Sequence, residues 1–475
     1  MDCISELPDE ILSYIQTMLS IKDLLKTSVL SKRWRNLWAL RRDLHFDIFH
    51  VLGSSEEELP QTVIPTSSST IERCVRLDIG MSEFVKRVDQ FLNNFQGTKI
   101  NSFFASFYSH DKHSNIIDQW ISFAIARGVE TINLLLLPMP ETCATRYKQY
   151  KFAFDLFSET NASTLKHLHL EHCLVCHPTN RDYIPFQNLR FLSLERTKLD
   201  EMFIESVLSN CRWLEELHLV LCEFRSSMPK IVSSSLIHLK VAGCYVVSGY
   251  VQMQIELSSI DCLKLTSLEY HGYSLDTLKI NTPLLKRIHC TVFYCEDPNQ
   301  YGLFATLPQL EIMQLDIYSM VPTSLKITQP FKHLKQLNFF LFWPLDIVEE
   351  SKFDLLGILT ILRATPLLHK LSIMLIHPRI IEDQKVVKDI DLCSHDEVKV
   401  IELRGCVGNW YEIEFVMNAL RYAHKLKRIV LSPYWRQHDS LDWNSDPTWF
   451  QNRRQKIREK LQSKNVVGRE KLVLI

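Results

Sequence analysis

The stretch that decides the fold runs from Leu165 to Val241. Residues 165–170 read LKHLHL, and the pattern returns as LRFLSL at 189–194, LEELHL at 214–219 and LIHLKV at 236–241. The central positions Leu168, Leu192, Leu217 and Leu239 are 24, 25 and 22 residues apart. Alternate side chains of an extended chain point to opposite faces, so each string has one apolar face and one face of mixed character. A single strand of this kind cannot bury its apolar face, whereas copies stacked at a period of roughly 20–29 residues build a continuous core.

Working outward, an earlier copy sits at Val129-Ile132-Leu134. Later ones occupy Leu265-Leu268-Tyr270, Leu285-Ile288-Cys290, Leu310-Met313-Leu315, Leu334-Leu337-Phe339, Leu368-Leu371-Ile373, Val398-Ile401-Leu403 and Leu426-Ile429-Leu431. Spacing stays at 25 and 24 from 288 to 337, then widens to 34, 30 and 28, which implies longer outer segments. Between strings, residues 198–211 (KLDEMFIESVLSNC) keep Leu199, Phe203, Val207 and Leu208 on one helical stripe. The expected class is α/β: a short helical module followed by an irregular leucine-rich-repeat solenoid, a curved parallel sheet with outer helices and no regular asparagine ladder. Four segments follow: a helical module at 1–50, a flexible linker or loop at 51–70, the solenoid at 71–390, and C-terminal repeats with a capping tail at 391–475. The linker rests on residues 53–70 (GSSEEELPQTVIPTSSST), which hold no Lys, Arg or aromatic residue and too little apolar surface to offset ordering.

Composition narrows the function. Of 475 residues 46% are apolar and 23% charged, which suits a soluble globular chain. The 54 Lys+Arg nearly cancel 55 Asp+Glu, so no global field draws the protein toward nucleic acid or a membrane. Only 12 glycines occur, against a usual share of about 7%, which disfavours phosphate-cradling glycine loops. Thirteen scattered cysteines read as reduced thiols of a nuclear or cytoplasmic protein. The start MDCISELPDEI has no secretory pattern, and no apolar run approaches the ~18 residues of a membrane span.

No nucleophile elbow, Walker loop, zinc-protease motif or dinucleotide fingerprint is found, and adjacent carboxylates such as Glu215-Glu216 diverge on a regular element. The chain is therefore read as non-enzymatic and without a cofactor. The most metal-like string holds His167, His169, His172, Cys173, Cys176 and His177, with zinc-type spacing in Cys173-x-x-Cys176. It lacks a second ligand pair, and His167 and His169 fall on the outward face of a strand, so no metal site is assigned. Residues 451–475 hold eight Lys/Arg and two Glu. They are read as a capping helix over 446–463 and a last strand over 471–475, in preference to an RNA surface of basic and stacking groups.

The first 45 residues are dense in large apolar groups. Pro8 suits a first helical turn, and Ile11, Leu12, Ile15 and Leu19 make one stripe. Ser20 and Asp23 resemble a capping box before Leu24, Leu25 and Val29, and Ser31 precedes Trp34, Leu37 and Trp38. Three short helices of this make-up hold more apolar surface than about 40 residues can hide, which implies a partner.

These residues carry a resemblance. Leu7-Pro8-Asp9-Glu10-Ile11-Leu12, then Leu24, Thr27, Val29-Leu30-Ser31-Lys32-Arg33-Trp34 and Leu37-Trp38, resemble an F-box over about residues 3–45. The whole chain is similar to plant F-box proteins with leucine-rich repeats and a C-terminal FBD segment. Supporting strings are 84–92 (FVKRVDQFL), Trp120-Ile121 with 126–130 (ARGVE), and 398–405 (VKVIELRG) running on to 418–423 (NALRYA). The resemblance implies a substrate-recognition subunit of an SCF-type ubiquitin ligase. Its F-box would dock on a Skp-type adaptor, and through it on cullin and a RING subunit. Leu7, Pro8, Ile11, Leu12, Leu24, Val29, Leu30, Trp34 and Leu37 would face the adaptor, with Ile15 and Trp38 in the module's own core. The repeats would hold an unidentified target protein. Outward strand positions His167, His169, Arg190, Ser193, Glu216, His218, His238 and Lys240 are the candidate contacts. The alternative is a non-degradative repeat scaffold or RNA-associated module.

Overall fold

The computed structural model describes residues 6–8, 11–12, 14–15, 18–19, 21–27, 29, 34, 41–52, 70–108, 113–137, 148–157, 162–175, 186–227, 229–248, 251–255, 257–272, 275, 277–292, 300–318, 329–342, 355–376, 380, 394–433, 447–463 and 468–475. Of the linker or loop expected at 51–70, residues 53–69 lie outside these residues, and 51, 52 and 70 belong to helices Ile48–Leu52 and Thr70–Asn94. The chain divides into two compact units, Met1–Ser235 with Cys244–Met253, and Leu236–Gly243 with Gln254–Ile475.

In the first unit, strands Asp43–Asp47, Ser102–Tyr108, Thr131–Leu137, His167–Glu171, Phe191–Glu195 and Glu216–Val220 pair in parallel in that order. The register aligns Ile132, Leu168, Leu192 and Leu217 in one row and Leu134, Leu170, Leu194 and Leu219 in the next. All eight are fully buried. Each contributes about 1.5–3 kcal/mol of burial, which is why the leucine spacing fixes the fold. Residues 43–47, read above with the helical module, open this sheet, with Leu44 and Phe46 inward and helix Ile48–Leu52 following. Helices Thr70–Asn94 and Ser114–Ile125 place Phe84 and Trp120 against Phe107 of strand Ser102–Tyr108 in an aromatic cluster, and Trp120 Nε1–H donates to Asp89 Oδ1 at 2.6 Å.

A repeated turn closes the strands. His172, Arg196 and Leu221 have φ of 57°, 46° and 51°, each immediately after a strand. The next residue is buried Cys173, Thr197 or Cys222. Thr197 Oγ1 donates to the Glu195 carbonyl at 2.8 Å, Cys222 Sγ to Leu194 O at 3.1 Å, and Cys244 Sγ to Leu219 O at 3.5 Å. These thiols and the hydroxyl do the work that an asparagine ladder would do, satisfying carbonyls where the chain leaves the sheet. Beyond each turn a short outer strand forms: Leu174–Val175, Lys198–Leu199, Glu223–Phe224 and Tyr245–Ser248 pair in parallel. Lys198 and Leu199 are thus extended rather than helical, and the helix runs only over Glu201–Asn210, where Asp200 caps it by accepting from Met202 N–H at 3.1 Å.

In the second unit, strands His238–Ala242, Ser267–Gly272, Arg287–Val292, Ile312–Ile317, Gln336–Phe342, Lys370–Ile376, Val400–Arg404, Arg428–Ser432 and Leu472–Leu474 pair in parallel in that order. The turn recurs as Gly405 (φ 73°) followed by buried Cys406, whose Sγ donates to Ser432 O at 3.3 Å. Helix Trp410–Tyr422 starts with a capping box in which Glu412 Oε2 accepts the N–H groups of Val407, Gly408 and Asn409 at 3.0, 2.7 and 3.0 Å. The expected tail is present as helix Pro447–Ser463 and strand Leu472–Leu474. The architecture is the expected α/β class with stacked parallel strands. Among the described residues no helix is long and apolar enough to cross a membrane.

Candidate protein-interaction surfaces

The N-terminal helices separate core from surface. The Pro8 carbonyl accepts from Ile11 N–H at 3.1 Å and Leu12 N–H at 3.0 Å, which starts the first helix. Leu12 and Trp34 form a buried pair with Leu7 and Ile15 packed against them, and Leu24 is buried in helix Ile21–Thr27. Leu12, Leu24 and Trp34, expected to face the adaptor, therefore fill the module's interior, and Leu7 is half-buried beside them. Pro8 is exposed, Ile11 is 47% exposed and Val29 is 83% exposed. Leu30, Leu37 and Trp38 lie outside the described residues. Sequence reasoning missed two exposed apolar side chains, Tyr14 and Met18. Their signal was present: 11, 14 and 18 are three and four apart, the spacing of one helix face.

On the solvent side of the first unit's sheet, the register sets out three rows. The first holds Thr131, His167, Phe191 and Glu216; His167 is exposed and its Nδ1 lies 3.3 Å from Thr131 Oγ1. The second holds Asn133, His169, Ser193 and His218. Ser193, expected as a contact, is buried between the two histidine strands and offers little to a partner. His169 is half-buried, and burial holds its pKa below the usual imidazole value. His218 lies edge-on to Phe191 at 5.1 Å, and exposed Arg190 pairs with Glu215 at 3.4 Å. The third row was not foreseen. Arg196 Nη1 reaches Glu171 Oε1 at 2.8 Å and Glu195 Oε1 at 2.6 Å, clamping two neighbouring carboxylates. Burial, then repulsion from Glu195, push the Glu171 carboxyl above its ordinary pKa. In the second unit, His238 is exposed and Lys240 Nζ lies 2.8 Å from Glu269 Oε1.

Among the described residues the zinc-like string does not converge. His167 and His169 sit on the solvent side, while Cys173 is buried in the turn with its thiol donated to Glu171 O at 3.3 Å. Cys176 and His177 lie outside the described residues. Burial raises the Cys173, Cys222, Cys290 and Cys406 thiols well above the usual range and Cys211 to about 12. These are packing groups, not nucleophiles. The basic tail is partly committed to structure. Lys460 Nζ donates to Gly408 O at 2.7 Å, and Arg469 Nη2 donates to Leu461 O and Gln462 O at 3.1 and 2.8 Å, closing the helix end. Phe450, Ile457 and Leu461 are buried beneath them.

Comparison with known proteins fits this geometry. Residues 91–469 match the family described as "At1g61320/AtMIF1, LRR domain", and residues 4–46 match the F-box domain. The chain is 28% identical over 243 residues to "F-box protein At5g03100" of Arabidopsis thaliana, covering 51% of this chain and 64% of that one. It is 27% identical over 279 residues to "Putative F-box/LRR-repeat protein At5g02930" of the same plant, covering 58% and 50%. It is 26% identical over 453 residues to "F-box/FBD/LRR-repeat protein At1g13570", also from that plant, covering 91% of each. The matches to the first two thus span about half to two thirds of those relatives' own length. With the family match extending over most of the stacked strands, the chain belongs to the At1g61320/AtMIF1-type leucine-rich-repeat family and carries an F-box domain ahead of its repeats.

Proposed function

We propose that this protein is the substrate-recognition subunit of an SCF-type ubiquitin ligase. Its F-box docks on a Skp-type adaptor, which links it to cullin and a RING subunit, and its repeats hold a target protein. The observation that carries the reading is the F-box match at residues 4–46 together with the exposed apolar side chains Ile11, Tyr14, Met18 and Val29 within it. A small module that exposes apolar groups of this size has a partner to cover them. The chemistry asked of such a subunit is proximity: it raises the local concentration of a target lysine beside a charged enzyme and contributes no reactive group. Residues 391–475 are the FBD-like repeats and cap, and the complex works in the nucleus or cytoplasm, where unpaired thiols persist.

The test is co-purification of the full chain with a purified Skp-type adaptor, followed by capture from plant extract with proteasomes blocked. A stable adaptor complex, and a client whose abundance rises on proteasome block, support the proposal. A chain that elutes alone in the presence of adaptor overturns it.

A further inference from the structure

We infer that the solvent side of the second unit's sheet carries a binding site for one divalent transition metal ion, of the zinc class, formed by Glu269, His271 and His289. The three donor atoms lie within 4.8 Å of one another on two adjacent strands. Glu269 Oε1 is 2.9 Å from His271 Nε2 and 3.9 Å from His289 Nδ1. Ligands on a tetrahedral zinc ion with bonds of about 2.1 Å stand about 3.4 Å apart, and the two distances bracket that value. Two imidazoles and a carboxylate suit zinc, and the open side of the sheet leaves a fourth position for water or a partner's side chain.

A second observation orients the site. His289 Nε2 lies 2.8 Å from Asp316 Oδ2, which also accepts from Thr291 Oγ1 at 3.1 Å, and the Gln314 amide N–H donates to the other Asp316 oxygen, Oδ1, at 3.2 Å. An Nε2–H donated to Asp316 leaves Nδ1 as the lone-pair nitrogen, turned toward Glu269. This is the carboxylate–histidine–metal relay that fixes a ligating ring. Asp316 comes from the next strand, so the supporting shell is held by the sheet rather than by a loop. Without metal, Lys240 Nζ occupies Glu269 Oε1 at 2.8 Å and His271 Nε2–H donates to the same oxygen. Metal binding displaces the Lys240 ammonium from that oxygen, and the neutral His271 ring shifts tautomer, its proton passing through solvent from Nε2 to Nδ1, so that Nε2 presents a lone pair to the ion. In the other clustered trio, His45, Asp47 and His50, both rings contact the one oxygen Asp47 Oδ2, and Asp47 Oδ1 accepts His50 N–H at 2.7 Å. The inference stands apart from the adaptor reading.

The experiment titrates the purified, metal-stripped full chain with zinc chloride against a chromophoric chelator, with elemental analysis after desalting. Cobalt(II) absorption reports the coordination geometry. One equivalent is expected, with H271A/H289A weakening it at least 100-fold, Asp316→Asn weakening it about 10- to 100-fold, Lys240→Met tightening it, and H45A/H50A leaving it unchanged. Thermal melts without metal should match among all variants, which separates ligand loss from misfolding. No stoichiometric uptake, retention by H271A/H289A, or loss in H45A/H50A instead would overturn the assignment.

Discussion

Truncating two exposed side chains of the F-box helices should weaken adaptor binding without touching the fold. Val29→Ala removes about two methylene equivalents, ~1.6 kcal/mol at full burial; with 83% of the residue open to a partner, about 1.3 kcal/mol is at stake. Ile11→Ala removes about three, ~2.4 kcal/mol, and the 47% still exposed leaves about 1.1 kcal/mol. Together they predict a loss of about 2.4 kcal/mol, roughly 60-fold in Kd. Leu12→Ala behaves differently: the side chain is fully buried against Trp34, so about 2–5 kcal/mol of module stability is lost and binding falls through unfolding. The assay is calorimetric titration of the full chain with a Skp-type adaptor, paired with a thermal melt of each variant. The double variant should keep the parent melt and lose affinity; Leu12→Ala should lose both. A double variant whose Kd stays within about threefold of the parent would refute the assignment of these two side chains to the interface.

Other predictions follow from single sites. Burial raises the Glu412 carboxyl from 4.5 to about 7 against three backbone N–H donors, so between these values the folded chain holds a proton the unfolded chain releases. Its stabilising contribution is full below about pH 4.5 and is lost as pH rises through 7, by about 3 kcal/mol at most, and Glu412→Gln should flatten that slope in pH-dependent denaturation. Gly405→Ala should destabilise the second unit by more than about 3 kcal/mol, because φ is 73° and a Cβ would stand 2.1 Å from Leu375 O; a normal melt would contradict this. Arg196→Ala leaves Glu171 and Glu195 facing each other and should cost about 1–3 kcal/mol at pH 8 and less at pH 5, measured by urea unfolding.

The sequence made the middle of the chain legible because leucine at period two, repeated every 22 to 25 residues, has one physical reading. Where other residues fill the same slots, the reading failed. Strand Ser102–Tyr108 turns Phe103, Ala105 and Phe107 inward, so its apolar face carries no leucine. Strand Asp43–Asp47 has Leu44 and Phe46 in place, but Arg41 stands three residues before Leu44 and the segment directly follows the F-box run. The helix expected from residue 198 begins at Glu201 because the outer strand takes Lys198 and Leu199 first. At the candidate surfaces, sequence could place residues on a face but not set their depth. Ser193 and His218 are register neighbours on one side of the sheet, yet Ser193 is buried while His218 is only half-buried.

The cysteines show how far packing can account for a residue that composition alone reads as redox chemistry. Cys173, Cys222, Cys244 and Cys406 each follow a residue of positive φ at the end of a parallel strand, and Thr197 fills the same position with the same donation. What that slot selects is a small side chain that fits a dry turn and carries one weak donor for a carbonyl at the strand end. A thiol and a hydroxyl both meet it, and asparagine is not required. The turn also fixes where each strand ends, and so the register in which the solvent-facing rows stand opposite one another. The buried half of each repeat is thereby constrained by geometry, while the rows holding His167, Glu216, Lys240 and Glu269 answer to solvation, to cross-strand pairs such as Lys240–Glu269 and to whatever they bind. A fold of this kind can change its recognition surface one row at a time without disturbing the ladder that holds it.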